Sequence, residues 1–303
     1  MASYERVAAG CEHWELAADD SGFPPRLRDL GSKVARLYGI GSPEALVGDC
    51  ISIIGARRAT PYGLTCADMA GRVAAECGVT VVSGGARGCD HAAARGALDA
   101  GGATVVVPGC GADVLYPRMS DDVFVDALTQ GGCVVSLDPW GSAPHKHSFV
   151  RRNAVIAALS QALIVCEACK PSGTFGTATV AAELGRRVYA VPGSIFSPMS
   201  SGTNWLLETG ASIVCDEDSL AGLISLDYGR LRFEPRADTS SRGTLLDALV
   251  ASPMDVGEVA TLLGLSIPQA FGKLSEYEAA GMVCRLADGR FVPTREVLLR
   301  HNG

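Results

Sequence analysis

Arg57 and Arg58 follow Gly55 at the end of the short β-branched run Ile51-Ser52-Ile53-Ile54, and Thr60 and Pro61 come directly after them. These types in this order describe a strand, a sharp turn that admits no Cβ, and a helix with Thr60 as N-cap and Pro61 at its first position. Such a helix start suits a phosphate, and nothing in a structural turn calls for two arginines. Ser83-Gly84-Gly85-Ala86-Arg87-Gly88 repeats the theme, small residues with one cation. A third group is denser: Lys146-His147-Ser148-Phe149-Val150-Arg151-Arg152-Asn153. Cations that track a phosphate backbone, with an aromatic that stacks on a base, are the ingredients of single-strand binding. Read alone, Phe149 serves equally as a core anchor and the arginines as a solvated face. Their place beside Arg57 and Arg87 on one expected sheet edge favours binding. Ser172-Gly173-Thr174-Phe175-Gly176-Thr177 puts hydroxyls and glycines at another helix start, again suited to an anion.

Covalent chemistry finds less support. His91 has no serine or cysteine nucleophile set in a recognisable elbow, and no acid–base pair stands out. The Gly84–Gly88 loop does not meet the G-x-G-x-x-G spacing of a dinucleotide site and lacks an acidic ribose partner. Cys166 and Cys169 form a lone C-x-x-C without a second ligand pair, so neither a metal nor a cofactor is expected. Cys66, Cys77, Cys133 and Cys215 fall within expected strands and helices and read as small core hydrophobes.

The elements that must hold these groups follow from the pattern. The chain has 303 residues, 48% of them hydrophobic, and 36 glycines, many placed just after apolar runs. Strands are expected at Ile51–Ile54, Thr80–Val82, Thr104–Val107, Cys133–Val135, Ala162–Val165, Val188–Val191 and Ser212–Val214, with helical stretches between most of them. That alternation means an α/β, doubly wound, mostly parallel sheet, whose ligands lie outside the strands' carboxyl ends. Arg57, Arg58, Arg87 and the 143–153 stretch all follow such ends. Residues 1–45 read as a short irregular lead packing on this core, with a strand at Ala35–Ile40. Residues 46–226 form the sheet domain and 227–240 a polar, arginine-rich linker. Residues 241–303, three helices and a hairpin around Asp288-Gly289, have a winged-helix-like layout. Its third helix, with Gln269, Lys273, Glu276 and Glu278, lacks the positive excess of a DNA reader and reads as a protein-contact module.

A net charge of −7 argues against a general nucleic-acid coat. It permits a local basic groove, because screening confines such fields to roughly 8–10 Å. No apolar run reaches membrane-spanning length and the N-terminus lacks a signal-peptide layout, so no membrane association and a cytoplasmic location are expected.

Taken in order, these stretches resemble the DprA/Smf family of DNA-processing proteins over roughly residues 14–226. The carriers are Gly55-Ala56-Arg57-Arg58-Ala59-Thr60-Pro61-Tyr62-Gly63, Ser83–Asp90, Phe149-Val150-Arg151-Arg152-Asn153, Val191-Pro192-Gly193-Ser194 and Ser200-Ser201-Gly202-Thr203-Asn204. The resemblance implies an extended Rossmann-like fold, a homodimer, single-stranded DNA binding, and loading of the RecA recombinase in recombination or natural transformation. It implies that Gly55, Arg57, Arg58, Gly84 and Arg87 form the phosphate-facing turns and that Lys146 lines the pocket. Phe149 would meet a base, and Arg151, Arg152 and Asn153 would border the groove. Ala56 stands where the family has serine, and Ser136-Leu137-Asp138-Pro139-Trp140 replaces the usual S-E-Y/F-P-P. A rival reading is a phosphoribohydrolase-like nucleotide enzyme. Its P-G-G-x-G-T-x-x-E loop is partly matched at Gly173–Thr177, but Val180 occupies the glutamate position and Glu183 comes three residues later.

Overall fold

The computed structural model describes residues 3–232, 244–286, 288–294 and 297. Contacts between Cα atoms divide the chain into two units, residues 1–233 and 234–303.

The first unit begins with helix α1 (Ser3–Ala8) and strands β1 (His13–Ala17), β2 (Arg36–Gly41) and β3 (Cys50–Ile54). Helix α2 (Pro61–Glu76), β4 (Thr80–Ser83), α3 (Cys89–Asp99), β5 (Thr104–Val106), α4 (Asp121–Thr129) and β6 (Cys133–Ser136) follow. The second half runs α5 (Lys146–Leu159), β7 (Ala162–Val165), α6 (Gly173–Glu183), β8 (Arg187–Ala190), α7 (Ser201–Glu208), β9 (Ser212–Ile213) and α8 (Glu217–Tyr228). One nine-stranded sheet results, ordered β1-β2-β6-β5-β4-β3-β7-β8-β9. From β6 to β9 all neighbours are parallel, and only β1 and β2 run antiparallel to theirs. The chain winds from β3 through β4 and β5 to β6, then returns to the other side of β3 as β7. The switch point of the sheet therefore lies between the carboxyl ends of β3 and β7, where an α/β sheet opens a crevice.

β3 is buried along its whole length, as a strand covered on both faces must be. Ile51 and Ile53 are wholly enclosed, each side chain contributing about 1.5–3 kcal/mol by leaving water. The one polar group in this strand has a use. Ser52 Oγ donates to the Ile156 carbonyl at 2.6 Å and meets Ser160 Oγ at 2.7 Å, which pins α5 across the strand. Ser83 Oγ likewise donates to the Ile53 carbonyl at 2.8 Å, tying β4 to β3. Register at the switch point is thus held by buried hydroxyls as well as by the ladder.

Two expectations change. Residues 1–45 are not an irregular lead, because β1 and β2 extend the sheet beyond β6, with Trp14, Leu37 and Ile40 in the core. The expected strand at Ala35–Ile40 is β2, shifted by one residue; β1 is short and lies before the proline-rich turn at Phe23-Pro24-Pro25, so no long alternation announces it. Cys215 is exposed rather than in the core, since β9 ends at Ile213 and Cys215 falls in the turn to α8.

The second unit contains helices α9 (Thr244–Ala251), α10 (Val256–Leu263) and α11 (Ile267–Ala279), then strands β10 (Val283–Arg285) and β11 (Phe291–Pro293) paired antiparallel. Asp255 caps α10 through a reciprocal box with Glu258, and Gly264 closes it in the left-handed conformation. Leu245, Leu249, Val259, Leu274, Val283 and Phe291 form its core. Of the expected linker 227–240, residues 233–240 lie outside the described residues, as do 295, 296 and 298–303 of the C-terminal stretch.

Candidate nucleic-acid interface

The first turn is shaped by what cannot be there. A Cβ on Gly55 would stand 2.4 Å from Cys89 Sγ, so only glycine lets β3 end this close to α3. The turn then projects Arg57 and Arg58 to the exterior. Phe149, on the first turn of α5, comes up from the neighbouring loop and is half-buried. The Arg57 guanidinium lies over its ring, 5.0 Å from the centroid. Tyr116 leans on the same ring at 5.9 Å, and the edge of the Phe149 ring fills the space that a side chain at Gly109 would need. Phe149 therefore has a fixed seat and one face shared with a cation.

Arg152, one helical turn further along α5, behaves differently from the groove-bordering role that the resemblance implies. It is 4% exposed. Its guanidinium occupies the place of a side chain at Gly84, where a Cβ would sit 1.8 Å from Nη1. Gly84 is thus needed for a close approach of the cation to the end of β4. The carboxylate facing it is Asp90, also buried, at a separation of 3.8 Å. Burial pushes the Asp90 carboxyl above its ordinary range, against the opposing pull of Arg152, Arg57 and the backbone at Gly84 and Gly55. Arg152 Nε has no acceptor among the described residues. Arg152 is hence the cation within ion-pair distance of Asp90, and the exposed Arg57 adds a second positive charge with no ion pair among the described residues. The inner of the two charges thus sits in a poorly hydrated setting, where Coulomb forces are strong.

Arg58, Arg87 and Lys146 are exposed, and none has a hydrogen-bond or ion-pair partner among the described residues. Lys146 opens α5. Arg151 is not free in this way. It pairs with Asp138 at 3.1 Å, so its charge is already met. Asn153 is half-buried beside these groups.

The helix starts correct a second reading. The N-terminus of α2 is already occupied by an anion from within the chain. Glu167, at the end of β7 and 2% exposed, accepts from Thr60 N at 2.8 Å and from Thr60 Oγ1 at 2.6 Å. Thr60 in turn caps the helix by accepting from Gly63 N at 3.2 Å. A phosphate at the first turn is left to the arginines and not to the helix end. The loop Ser172–Thr177 opens α6, with Ser172 accepting from Phe175 N at 3.2 Å. Thr174 Oγ1 donates to the Gly55 carbonyl at 3.0 Å and Thr177 Oγ1 to the Gly173 carbonyl at 3.2 Å. These two hydroxyls are committed to the backbone, while Gly173 and Gly176 face open space. Thr174 does link this loop to the first turn.

The family model described as DNA recombination-mediator protein A matches residues 15–225. The chain belongs to this family. Protein Smf of Escherichia coli is 33% identical to it over 294 residues, spanning 91% of this chain and 76% of that protein. The putative DNA processing protein DprA of Mycobacterium tuberculosis H37Rv is 35% identical over 287 residues, 89% of this chain and 72% of its own. DNA processing protein A of Streptococcus pneumoniae superposes with a TM-score of 0.64 at 31% identity, over 70% of this chain and 74% of that one. The Helicobacter pylori protein, described by its unique single-stranded DNA binding mode, gives 0.64 at 29% identity, over 71% and 97%.

In this mediator-family chain, sequence reasoning passed over Asp90, Glu167 and Tyr116. Asp90 and Glu167 each directly follow a glycine loop or strand end, the signal that could have found them. His91 bonds to Asp122 at 3.1 Å and takes no part in the cluster described above. The described residues bring no three His, Cys, Asp or Glu side chains together as a metal would need.

Proposed function

We propose that the chain binds single-stranded DNA along the carboxyl ends of β3, β4 and the start of α5, and acts as a recombination mediator without chemistry of its own. The observation that carries this is the group of cations at the strand ends: buried Arg152 faces the single carboxylate of Asp90 at 3.8 Å, while Arg57, over the Phe149 ring, has no ion-pair partner among the described residues. An incoming phosphate supplies the missing anion. Arg58, Arg87 and Lys146, which need no bond broken to reach it, extend the electrostatic track. Phe149 supplies the ring for a base once the Arg57 guanidinium swings from its face to the phosphate. Arg152 and Gly84 shape the floor of the groove, and Arg151 and Asn153 line its rim.

In this reading the protein is a cytoplasmic homodimer that hands the bound strand to a RecA-class recombinase, and the second unit is a winged-helix-like module that contacts protein. The nucleotide-enzyme alternative loses ground on geometry. Glu183 lies ten residues beyond Gly173 on α6, about 15 Å along the helix axis, too far to act at the loop. Glu167 is buried and bonded to Thr60.

The test is a salt titration of affinity for a labelled single-stranded oligonucleotide. Each neutralised phosphate contributes a slope of about −0.7, so three to five contacts give a slope of about −2 to −3.5. A flat salt dependence would overturn the site. Mediation is tested separately, by whether the protein speeds recombinase nucleation on strands coated with a single-strand-binding protein.

A further inference from the structure

At the antiparallel edge of the sheet, a cavity of about 320 Å³ is lined by His13, Trp14, Glu15, Asp113 and Trp140. It lies five strands from β3, roughly 24 Å away at the usual strand spacing, and is no part of the groove described above. Its walls are aromatic. Trp140 stacks on the His13 ring at 5.3 Å and meets Tyr38 edge-on at 5.6 Å. Its indole N–H donates to Glu15 Oε1 at 3.0 Å, and Trp14 Nε1 is tied to the Gly41 carbonyl at 2.8 Å. The Trp140 ring is therefore fixed in orientation, while the Trp14 indole packs on the opposite face of β1, over Gly39. The rim is acidic. Glu15 also pairs with Arg36 at 2.8 Å, but Asp113, which accepts the Gly141 N–H at 2.8 Å, has no cation partner among the described residues. The cavity holds two carboxylates against one arginine.

We propose that this cavity receives the guanidinium of an arginine presented by a protein partner. A planar cation stacks on an indole face and forms forked bonds to carboxylates, which an ammonium does less well. A nucleotide is disfavoured, because its phosphate would face Asp113 and Glu15 without a compensating cation. A fixed ring and a surplus negative charge are the two features that a cationic side chain needs, and both are present before it arrives.

The chain contains three tryptophans: Trp140 presents its ring at the cavity, Trp14 packs on the other face of β1, and Trp205 sits elsewhere under Lys170. Indole N–H resonances of the full chain therefore report on the cavity with an internal control. Titration with the blocked tripeptide Gly-Arg-Gly should shift the Trp140 signal saturably in the millimolar range and leave Trp205 in place. Gly-Ala-Gly should shift none. Asp113→Asn should weaken the arginine peptide about three- to fivefold, the size of one exposed charge pair, with the Trp205 signal and melting temperature unchanged. Equal shifts from both peptides, no shift at all, or a response to deoxycytidine monophosphate in place of the arginine peptide would each overturn the proposal.

Discussion

Phe149, Arg57, Arg152 and Asp90 divide the work of the site by exposure. Phe149 is seated against Gly109 and Tyr116, so its packing and its stacking can be separated. Phe149→Leu keeps the seat filled and loses the ring face. It is expected to weaken single-strand binding by about 1–3 kcal/mol with little change in the urea midpoint, and a parallel loss of both would make Phe149 a core residue only. Asp90 and Arg152 lie at the other extreme. Removing the carboxylate strands a buried cation, so Asp90→Ala should destabilise the fold by about 3–5 kcal/mol, measured by urea unfolding. A change below 1 kcal/mol would mean that water or another group already neutralises Arg152. The like-charge pressure between Arg57 and Arg152 also predicts that bound phosphate raises the melting temperature of the parent more than that of Arg57→Ala.

At the scale of elements, the start of α2 depends on a threonine that both caps the helix and holds a buried carboxylate. Thr60→Ala removes the bond to Gly63 N and one bond to Glu167, and should cost about 1–2 kcal/mol in a denaturation series. A neutral result would show that Glu167 alone satisfies the helix end. The strand at Ile51–Ile54, its glycine turn and the Thr60-Pro61 helix start were legible in the sequence, because local chemistry dictates each of them. Alternation of apolar runs with helical stretches was enough to place the parallel strands within a residue or so. Other features depend on neighbours distant in the chain. Arg151, Arg152 and Lys146 look alike in sequence. Which one is exposed, paired or buried is decided by Asp138, Asp90 and Gly84, between 8 and 68 residues away. Glu167 could not be recognised as the anion of α2 without knowing that β7 returns beside β3. β2 was legible as the strand at Ala35–Ile40, but β1 was hidden for the same reason, since its ladder comes only from β2, which itself joins the sheet through β6.

On the scale of the whole molecule, the net charge of −7 coexists with a basic edge because the acids are placed elsewhere. Arg72, Glu76, Glu217 and Arg232 form one network joining α2, α8 and the chain beyond. Arg95 is matched by Asp99 and Asp126. Arg58, Arg87 and Lys146, at the strand ends and the start of α5, are among the cations without a hydrogen-bond or ion-pair partner among the described residues. The core carries a second global signature in its thiols. Burial pushes Cys50, Cys89 and Cys110 up to about 12 and Cys66 up to about 11. The folded state thus holds these protons more tightly than the unfolded state. Their contribution is fully present below the unfolded thiol value near pH 9 and is lost as pH rises toward 12. Thermal melts should show stability falling across that window, with the buried tyrosines Tyr4, Tyr189 and Tyr228 adding to the same trend. At pH 8 a thiol reagent should label Cys215 and Cys284, both exposed, well before Cys89. Rapid labelling of Cys89 would contradict the close packing at Gly55.

The central claim is that the cations at the ends of β3 and β4, Arg57 with no ion pair among the described residues and Arg152 facing Asp90, bind the phosphates of a single strand. Fluorescence anisotropy of a labelled single-stranded oligonucleotide, with a duplex as competitor, measures it directly for the parent and for Arg57→Ala. The account predicts tight binding that the duplex does not displace, and a loss of about tenfold or more in Arg57→Ala, the size of one charge-assisted bond. Equal affinity of the two proteins, or equal competition by duplex, would contradict it.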